Sequence, residues 1–451
     1  MGIPRSMLVV TVAGLMLGPT VSPAFATGDR ARAGRTVRAS VSTAGRQANM
    51  QSTSEVISAN GRYVAFISFA TNLVPGDTNG FRDVFVRDLS TGTTNRVNVS
   101  DTGAQADNDT ADLRLSISAD GRYVAFVSLA DNLVPGDTNG DWDVFVRDRL
   151  RRHTTRVNLS SRGEQGNVGA FGGVSISADG RYVAFESPAS NLVPGDVIGT
   201  EDIFVRDRFA GRTTRVSVSS SGEPANNISF DPVISADGRY VAFNSHATNL
   251  VPGDTNAAPD VFVHDRFTGT TTRESVSGTG EQANGPSAAG LASGLAISGD
   301  GRFVAFESSA SNLVPADTNA ADDIFVRDRR AGTTTRVSVS SAGEQANAAS
   351  FFGVSISRGG RYVVFLSEAS NLVPRDTNGT WDVFVRDRLA GTTSLVSVSG
   401  TGAQANGTSA SGAEAVSADG RLVTFESVAT NLVPGDTNGV NDVFVRERRR
   451  A

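Results

Sequence analysis

A nine-residue stretch, "NLVPGDTNG", stands at residues 72–80 and recurs unchanged at 132–140 and 431–439, with four edited copies between. A second motif, "ADGRYVAF" and its variants, keeps step with it. Its glycine falls at Gly61, Gly121, Gly180, Gly238, Gly301, Gly360 and Gly420, a spacing of 58 to 63 residues. A period of that size restricts the chain to a solenoid or a propeller, because each unit must bury its apolar face against its neighbours.

Each unit reads as four strands, and the third shows why. "GVSIS" (173–177) is a short β-branched run, and "ADGR" (178–181) is a tight turn in which Asp-Gly tolerates positive φ. "YVAFES" (182–187) is the second strand; the long loop follows, and then "DIFVRDR" (202–208) as the third. "TRVSVS" (214–219) alternates polar and apolar residues, which suits an outer strand with one wetter face. No segment carries a sustained helical period. The last unit stops after "DVFVRERRRA" (442–451) without a fourth strand, while "TVRASVSTAGRQAN" (36–49) matches "TTRVSVSSAGEQAN" (334–347). The expected fold is therefore all-β: a seven-bladed β-propeller of four-stranded antiparallel blades, closed by an N-terminal strand at 36–42 that completes the last blade.

"SADGRYVAFES" (177–187) followed by "DIFVRDR" resembles the TolB-type, WD-like propeller repeat, which is also found in the propellers of tricorn and prolyl-oligopeptidase-like peptidases. The resemblance covers residues 27–451. It implies the propeller fold. That span has no room for the α/β domain of TolB-like proteins or for a hydrolase domain.

The ends and the composition set expectations about location. Arg5, an apolar run at 7–21 and the small-x-small triplet Ala24-Phe25-Ala26 read as a signal peptide over 1–26, cleaved after Ala26, with the propeller over 27–451. A secreted monomer without a membrane span is expected. There is no Cys, so no disulfide or thiolate metal site is available, and the core must hold the fold. The net charge of −6 argues against a nucleic-acid binder, which needs a basic surface. All the formal positive charge is Arg, since the chain has no Lys.

Every copy of the loop keeps two Asp six residues apart, and two readings of them stay open. As calcium loops, Asp77, Asn79 and Asp83 offer hard oxygens around a Gly-permitted turn, as do Asp137, Asn139 and Asp143, and Asp436, Asn438 and Asp442. The third copy breaks the pattern with Ile198. As structural parts, Leu73 and Val74 fill the gap between blades, Asp77 and Asn79 form Asx turns, and Asp83 fixes the start of the third strand. No cofactor is required on the second reading.

The catalytic signatures sought are absent: no Gly-x-Ser-x-Gly, no His-Glu-x-x-His and no phosphate loop. The three His (His153, His246 and His264) cannot form a metal cluster, and His264 stands at a repeat position that is Arg in the other six units. The expected function is a non-catalytic binding or scaffolding module for an extracellular protein or glycan. The alternative is a glycosidase- or lyase-like enzyme acting on an extracellular polymer through paired carboxylates at the channel mouth. The aromatic residues that break the repeat where it enters the first strand, Phe171, Phe230, Phe351 and Phe352, are the candidate ligand contacts. They are expected near the channel mouth on one side of the ring.

Overall fold

The computed structural model describes residues 34–196, 200–288 and 294–448. The expected signal peptide and Ile198 lie outside them. The described chain forms seven four-stranded antiparallel sheets. Among the described residues there is no helix, and so none long and apolar enough to cross a membrane. In the third blade the strands run Val174–Ile176, Tyr182–Ser187, Asp202–Asp207 and Arg212–Arg215, hydrogen-bonded in that order. The first strand lines the axis and the fourth faces outward.

Seven apolar clusters hold the ring, one in each gap between consecutive blades. Each blade contributes the same pair of rings: the Phe of its second strand stacks on the Phe of its third, as Phe66 does on Phe85 at 5.8 Å. Both are fully buried, which is why the middle strands are apolar on both faces.

The "ADGR" turns knit the opposite side of the disk. Gly121 adopts φ 75°, and a Cβ there would overlap the Tyr63 ring of the preceding blade. Glycine is thus required twice, for backbone sign and for the close approach. Each aromatic ring is then held between guanidinium groups. Tyr123 has Arg122 at 4.7 Å and Arg208 of the next blade at 4.9 Å. Closer to the axis the turns bond to one another through the backbone: Ala119 N donates to Ala178 O and Ala178 N to Ala236 O, both at 3.0 Å.

Two expected strand boundaries are corrected. The fourth strand of the third blade is Arg212–Arg215, not 214–219. Val216 N makes one more ladder bond, to Ile203 O, and Ser217 Oγ then donates to Asp202 Oδ1 at 2.6 Å, which turns the chain toward the next blade. The closing strand is Arg35–Arg38, not 36–42, for the same reason: Ser40 Oγ binds Asp442 Oδ1 at 2.6 Å. Closure itself is as expected, since Arg35–Arg38 pairs antiparallel with Asp442–Glu447 in the order first, last, penultimate strand.

A chain lacking residues 35–42 should lose at least ~3 kcal/mol, because it forfeits ladder bonds and uncovers Val443 and Val445. Urea unfolding measures this. A circular permutant that carries residues 35–49 after the last strand should recover the parent midpoint, and a deletion with an unchanged midpoint would refute closure.

Candidate functional site

The long loops joining second to third strands share one face of the disk with the connections between blades. Gln105, from one such connection, donates to Thr78 Oγ1 in the loop at 2.7 Å. Leu73 is buried in the gap between the last and first blades, with Val74 packed beside it. Asp83 has no exposed surface. It accepts from Asn98 Nδ2 at 2.7 Å and Asn79 Nδ2 at 3.2 Å. Arg96 Nη1 lies 2.8 Å from Asp83 and 3.2 Å from Asp77, so one guanidinium bridges the pair. Asn79 also closes an Asx turn with Phe81 N.

The second blade repeats this with Asp137, Asn139 and Asp143: Arg156 Nη1 is 2.8 and 3.1 Å from the two carboxylates. At the seam Arg38 does the same for Asp436 and Asp442, at 3.1 and 3.3 Å, with Asn438 Nδ2 donating to Asp442 at 3.0 Å. The sixth blade has Leu395 in the arginine's place, and its Asp376 and Asp382 share Gln404 Nε2 at 2.6 and 2.9 Å. Burial pushes Asp77 up to about 6 and Asp137 up to about 7; the neighbouring carboxylate adds to this and the guanidinium opposes it. Among the described residues no three His, Asp or Glu side chains are placed to hold a metal ion.

The loop-side ends of the inner strands carry a second set of carboxylates. The fifth residue of the second strand is Glu186, Glu307 and Glu426 in blades three, five and seven, but Ile67, Val127 and Leu366 in blades one, two and six. Each Glu reaches the next blade. Glu186 Oε2 accepts from Asp231 N at 3.0 Å, Glu307 Oε2 from Phe352 N at 2.9 Å, and Glu426 Oε2 from Ser54 N at 3.0 Å. The three donors have left-handed backbones, with φ of 51°, 39° and 56°. The carboxylates thus secure strained inner-strand bulges across a blade boundary. Glu55 Oε1 likewise accepts from Gly412 N at 2.9 Å, and Glu414 crosses the axis side to Ser116 Oγ at 2.6 Å and Ile117 N at 3.2 Å.

Burial raises these groups: Glu307, Glu414 and Glu426 to about 7, and Glu55, with the Glu426 charge adding to burial, well above the carboxylate range. Below them Ile57, Ile117, Ile176, Ile297, Ile356 and their neighbours line an axial cavity of about 150 Å³, open to Glu414.

The candidate aromatic residues fall in three contact groups, on blades three, four and six. Phe171 is 57% exposed and meets Trp142 edge-on at 5.2 Å. Phe230 lies 5.8 Å from the His246 ring. Phe351 contacts both Phe352, at 5.1 Å, and Trp381, at 5.0 Å. Phe352 packs into the apolar cluster between blades six and seven, so part of this group fills a gap. The three groups are separate because they sit on different blades, at the entry of blades three, four and six, with Phe351 and Phe352 together on the last of these. The carboxylate set and the two tryptophans were not singled out from sequence. Their signal was available: both Trp precede the Asp of a third strand, in "DWDVF" and "TWDVF".

No family model and no curated protein matches the chain. Solved structures do match in fold. The oligogalacturonate lyase of Vibrio parahaemolyticus is 11% identical over 89% of each chain, with a TM-score of 0.51. The β-propeller domain of the trilobed protease of Pyrococcus furiosus is 9% identical over 88% of this chain and 95% of its own, also at 0.51. TolB of Acinetobacter baumannii is 14% identical at a TM-score of 0.41; the match covers 75% of this chain and 64% of that protein's length. These likenesses show the propeller fold alone.

Two predictions follow from the charges. Arg96→Ala leaves two buried carboxylates facing each other and should cost about 3 kcal/mol in urea unfolding. Excess calcium should return part of that loss by binding the vacated pair. An unchanged stability in Arg96→Ala would show that the bridge is idle. The second concerns pH. A carboxyl at about 7 in the folded chain, against an ordinary 4.5, holds its proton more tightly when folded. Its stabilising contribution is complete below about 4.5 and is lost as pH rises through 7. In the opposite direction, Arg239 holds Asp265 well below the usual range, and that contribution is lost only in strong acid. Thermal midpoints should therefore be higher at pH 5 than at pH 8, and Glu307→Gln should flatten the slope. A midpoint that rises from pH 5 to 8 would contradict the assignment of buried, proton-bearing glutamates.

Proposed function

We propose that this chain is an exported, non-catalytic binding propeller whose loop face holds a glycan of neutral or amino sugars. The observation that carries this reading is the pair of open aromatic rings on the loop face, with the exposed Glu368 accepting from Trp381 Nε1 at 2.5 Å. Trp381 is 38% and Phe171 57% exposed. Such rings stack on the C–H faces of sugars, while carboxylate oxygens accept from hydroxyl and ammonium groups. Asp112 and Asp231 stand beside the proton-bearing Glu55, Glu307 and Glu426, and the charge of these two aspartates disfavours polyanions. An oligogalacturonate, the ligand in the name of one structural neighbour, is thereby disfavoured here. The export expectation rests on residues 1–26 of the sequence.

The second reading, glycan cleavage, draws on the raised glutamates, since a general acid needs a proton near neutral pH. The hydrogen bonds of Glu186, Glu307 and Glu426 to neighbouring backbone amides favour the structural role.

Both tryptophans of the chain lie on the loop face, so intrinsic fluorescence reports binding there. Titration with chito- or cello-oligosaccharides should quench it, and galacturonate oligomers should not. Phe171→Ala should weaken binding about fivefold while leaving the melting midpoint near the parent value, as expected of an exposed anchor. Absence of quenching by both neutral and amino-sugar oligomers would remove the glycan reading. Release of reducing ends during the titration would transfer the assignment to the cleaving enzyme.

A further inference from the structure

The outer turn of each blade, between its third and fourth strands, lies on the face away from the long loops. Its backbone needs only two residues. In the third blade Asp207 Oδ1 accepts from Phe209 N and Ala210 N, both at 3.0 Å, and Gly211 takes φ 65°. The residue at the tip is unconstrained by the turn, and the first blade has Ser90 there. Blades two, three, four and six instead carry Leu150, Phe209, Phe267 and Leu389, exposed by 75, 65, 86 and 79%. Blade five has an exposed Arg330. Four large apolar side chains stand in water at one repeat position, where neither packing nor turn geometry asks for them.

The tip residues themselves carry only positive charge, and the exposed Asp101 beside the second tip is engaged by His153 Nδ1 at 2.6 Å and Thr154 N at 2.7 Å. The tip sequences are "LRRH", "FAGR", "FTGT", "RAGT" and "LAGT", without a carboxylate, and Arg151, Arg152 and Arg212 are exposed beside the apolar residues. Guanidinium groups also lie under two of the rings, Arg181 at 6.0 Å from Phe209 and Arg239 at 5.4 Å from Phe267. Because the tips occupy equivalent positions on five consecutive blades of a closed ring, they can meet one flat surface together.

We infer that this arc docks the propeller on an anionic lipid surface, with Leu150, Phe209, Phe267 and Leu389 entering the headgroup boundary and the arginines meeting lipid phosphates. A second copy of the chain fits less well, since face-to-face pairing would set arginine tips against arginine tips. Docking this way leaves the loop face turned outward, free for the proposed ligand, but does not depend on that reading.

The test uses residues 27–451, which contain the whole closed ring and exclude the apolar run at 7–21. Vesicles of phosphatidylglycerol mixed with phosphatidylcholine should co-sediment the protein, and added salt should release it. Phe209→Ser with Phe267→Ser should lower binding about tenfold. Arg151→Ser with Arg212→Ser should lower it roughly fivefold per charge on anionic vesicles only. Both double variants should keep the parent melting midpoint, because the changed residues are exposed. Failure to sediment with anionic vesicles would overturn the inference, as would double variants that bind like the parent. Dimers in sedimentation velocity that these same substitutions abolish, with no vesicle binding, would reassign the arc to self-association.

Discussion

A carboxylate with almost no exposed surface opens the third strand of every blade, and the rest of the blade is arranged around its needs. Asp83 is unsolvated, so its charge must be met by donors from the chain. Asn79 brings the long loop to it, Asn98 brings the exit of the fourth strand, and Arg96 brings the fourth strand itself. One acid therefore ties three segments that are distant along the blade. Its removal would orphan a buried guanidinium and a buried amide together, which accounts for its presence in all seven copies.

Ring closure uses the same chemistry and needs no special device. Asp442, at the C-terminal end of the chain, receives Ser40 Oγ, Gln47 Nε2 and the Arg38 guanidinium from its N-terminal end. The node that is local in the other blades is here assembled across 402 residues of sequence. The seam does differ in its packing. Leu422 stands where the other blades have Tyr or Phe, so Gly61 faces a methyl group rather than a ring. Near this seam lie the carboxyls Glu55, Glu414 and Glu426, each bonded to the backbone of another blade. Burial of these raised carboxyls makes this sector of the ring sensitive to protonation.

Blade number, strand order and closure were legible because they are written repeatedly: a period near 60 residues, an Asp-Gly turn and a spare fourth strand admit one arrangement. The fourth strand was read too long because "VSVS" alternates like a strand. What ends it is a side chain, Ser217 on Asp202, and periodicity carries no record of that bond. The inner carboxylates were hidden in a different way. Glu307 occupies a position that is Ile67, Val127 or Leu366 in other units, and its role depends on the left-handed Phe352 of the next blade. A contact between repeats is invisible when each unit is read alone. The aromatic candidates were legible as departures from the repeat, but the rings they would meet were not. Phe171 and Phe351 each found a tryptophan close by, and no ring contact joins the two groups.

Those departures are tolerated because the repeated contacts are redundant. The sixth blade shows the margin: Leu395 removes the bridging guanidinium, yet Asp382 still receives Asn378, Gln404 and Ser397, and the strand begins where its counterparts do. A ring held by seven apolar gaps and seven such nodes can lose one donor without changing shape. Positions outside the nodes are freer still. The outer turn tips bear no share of the common scaffold, so Phe209 and Phe267 could arise on single blades without cost to the fold. In a chain built from copies, the residues that hold the molecule together are those that repeat, and the residues available for recognition are those that do not.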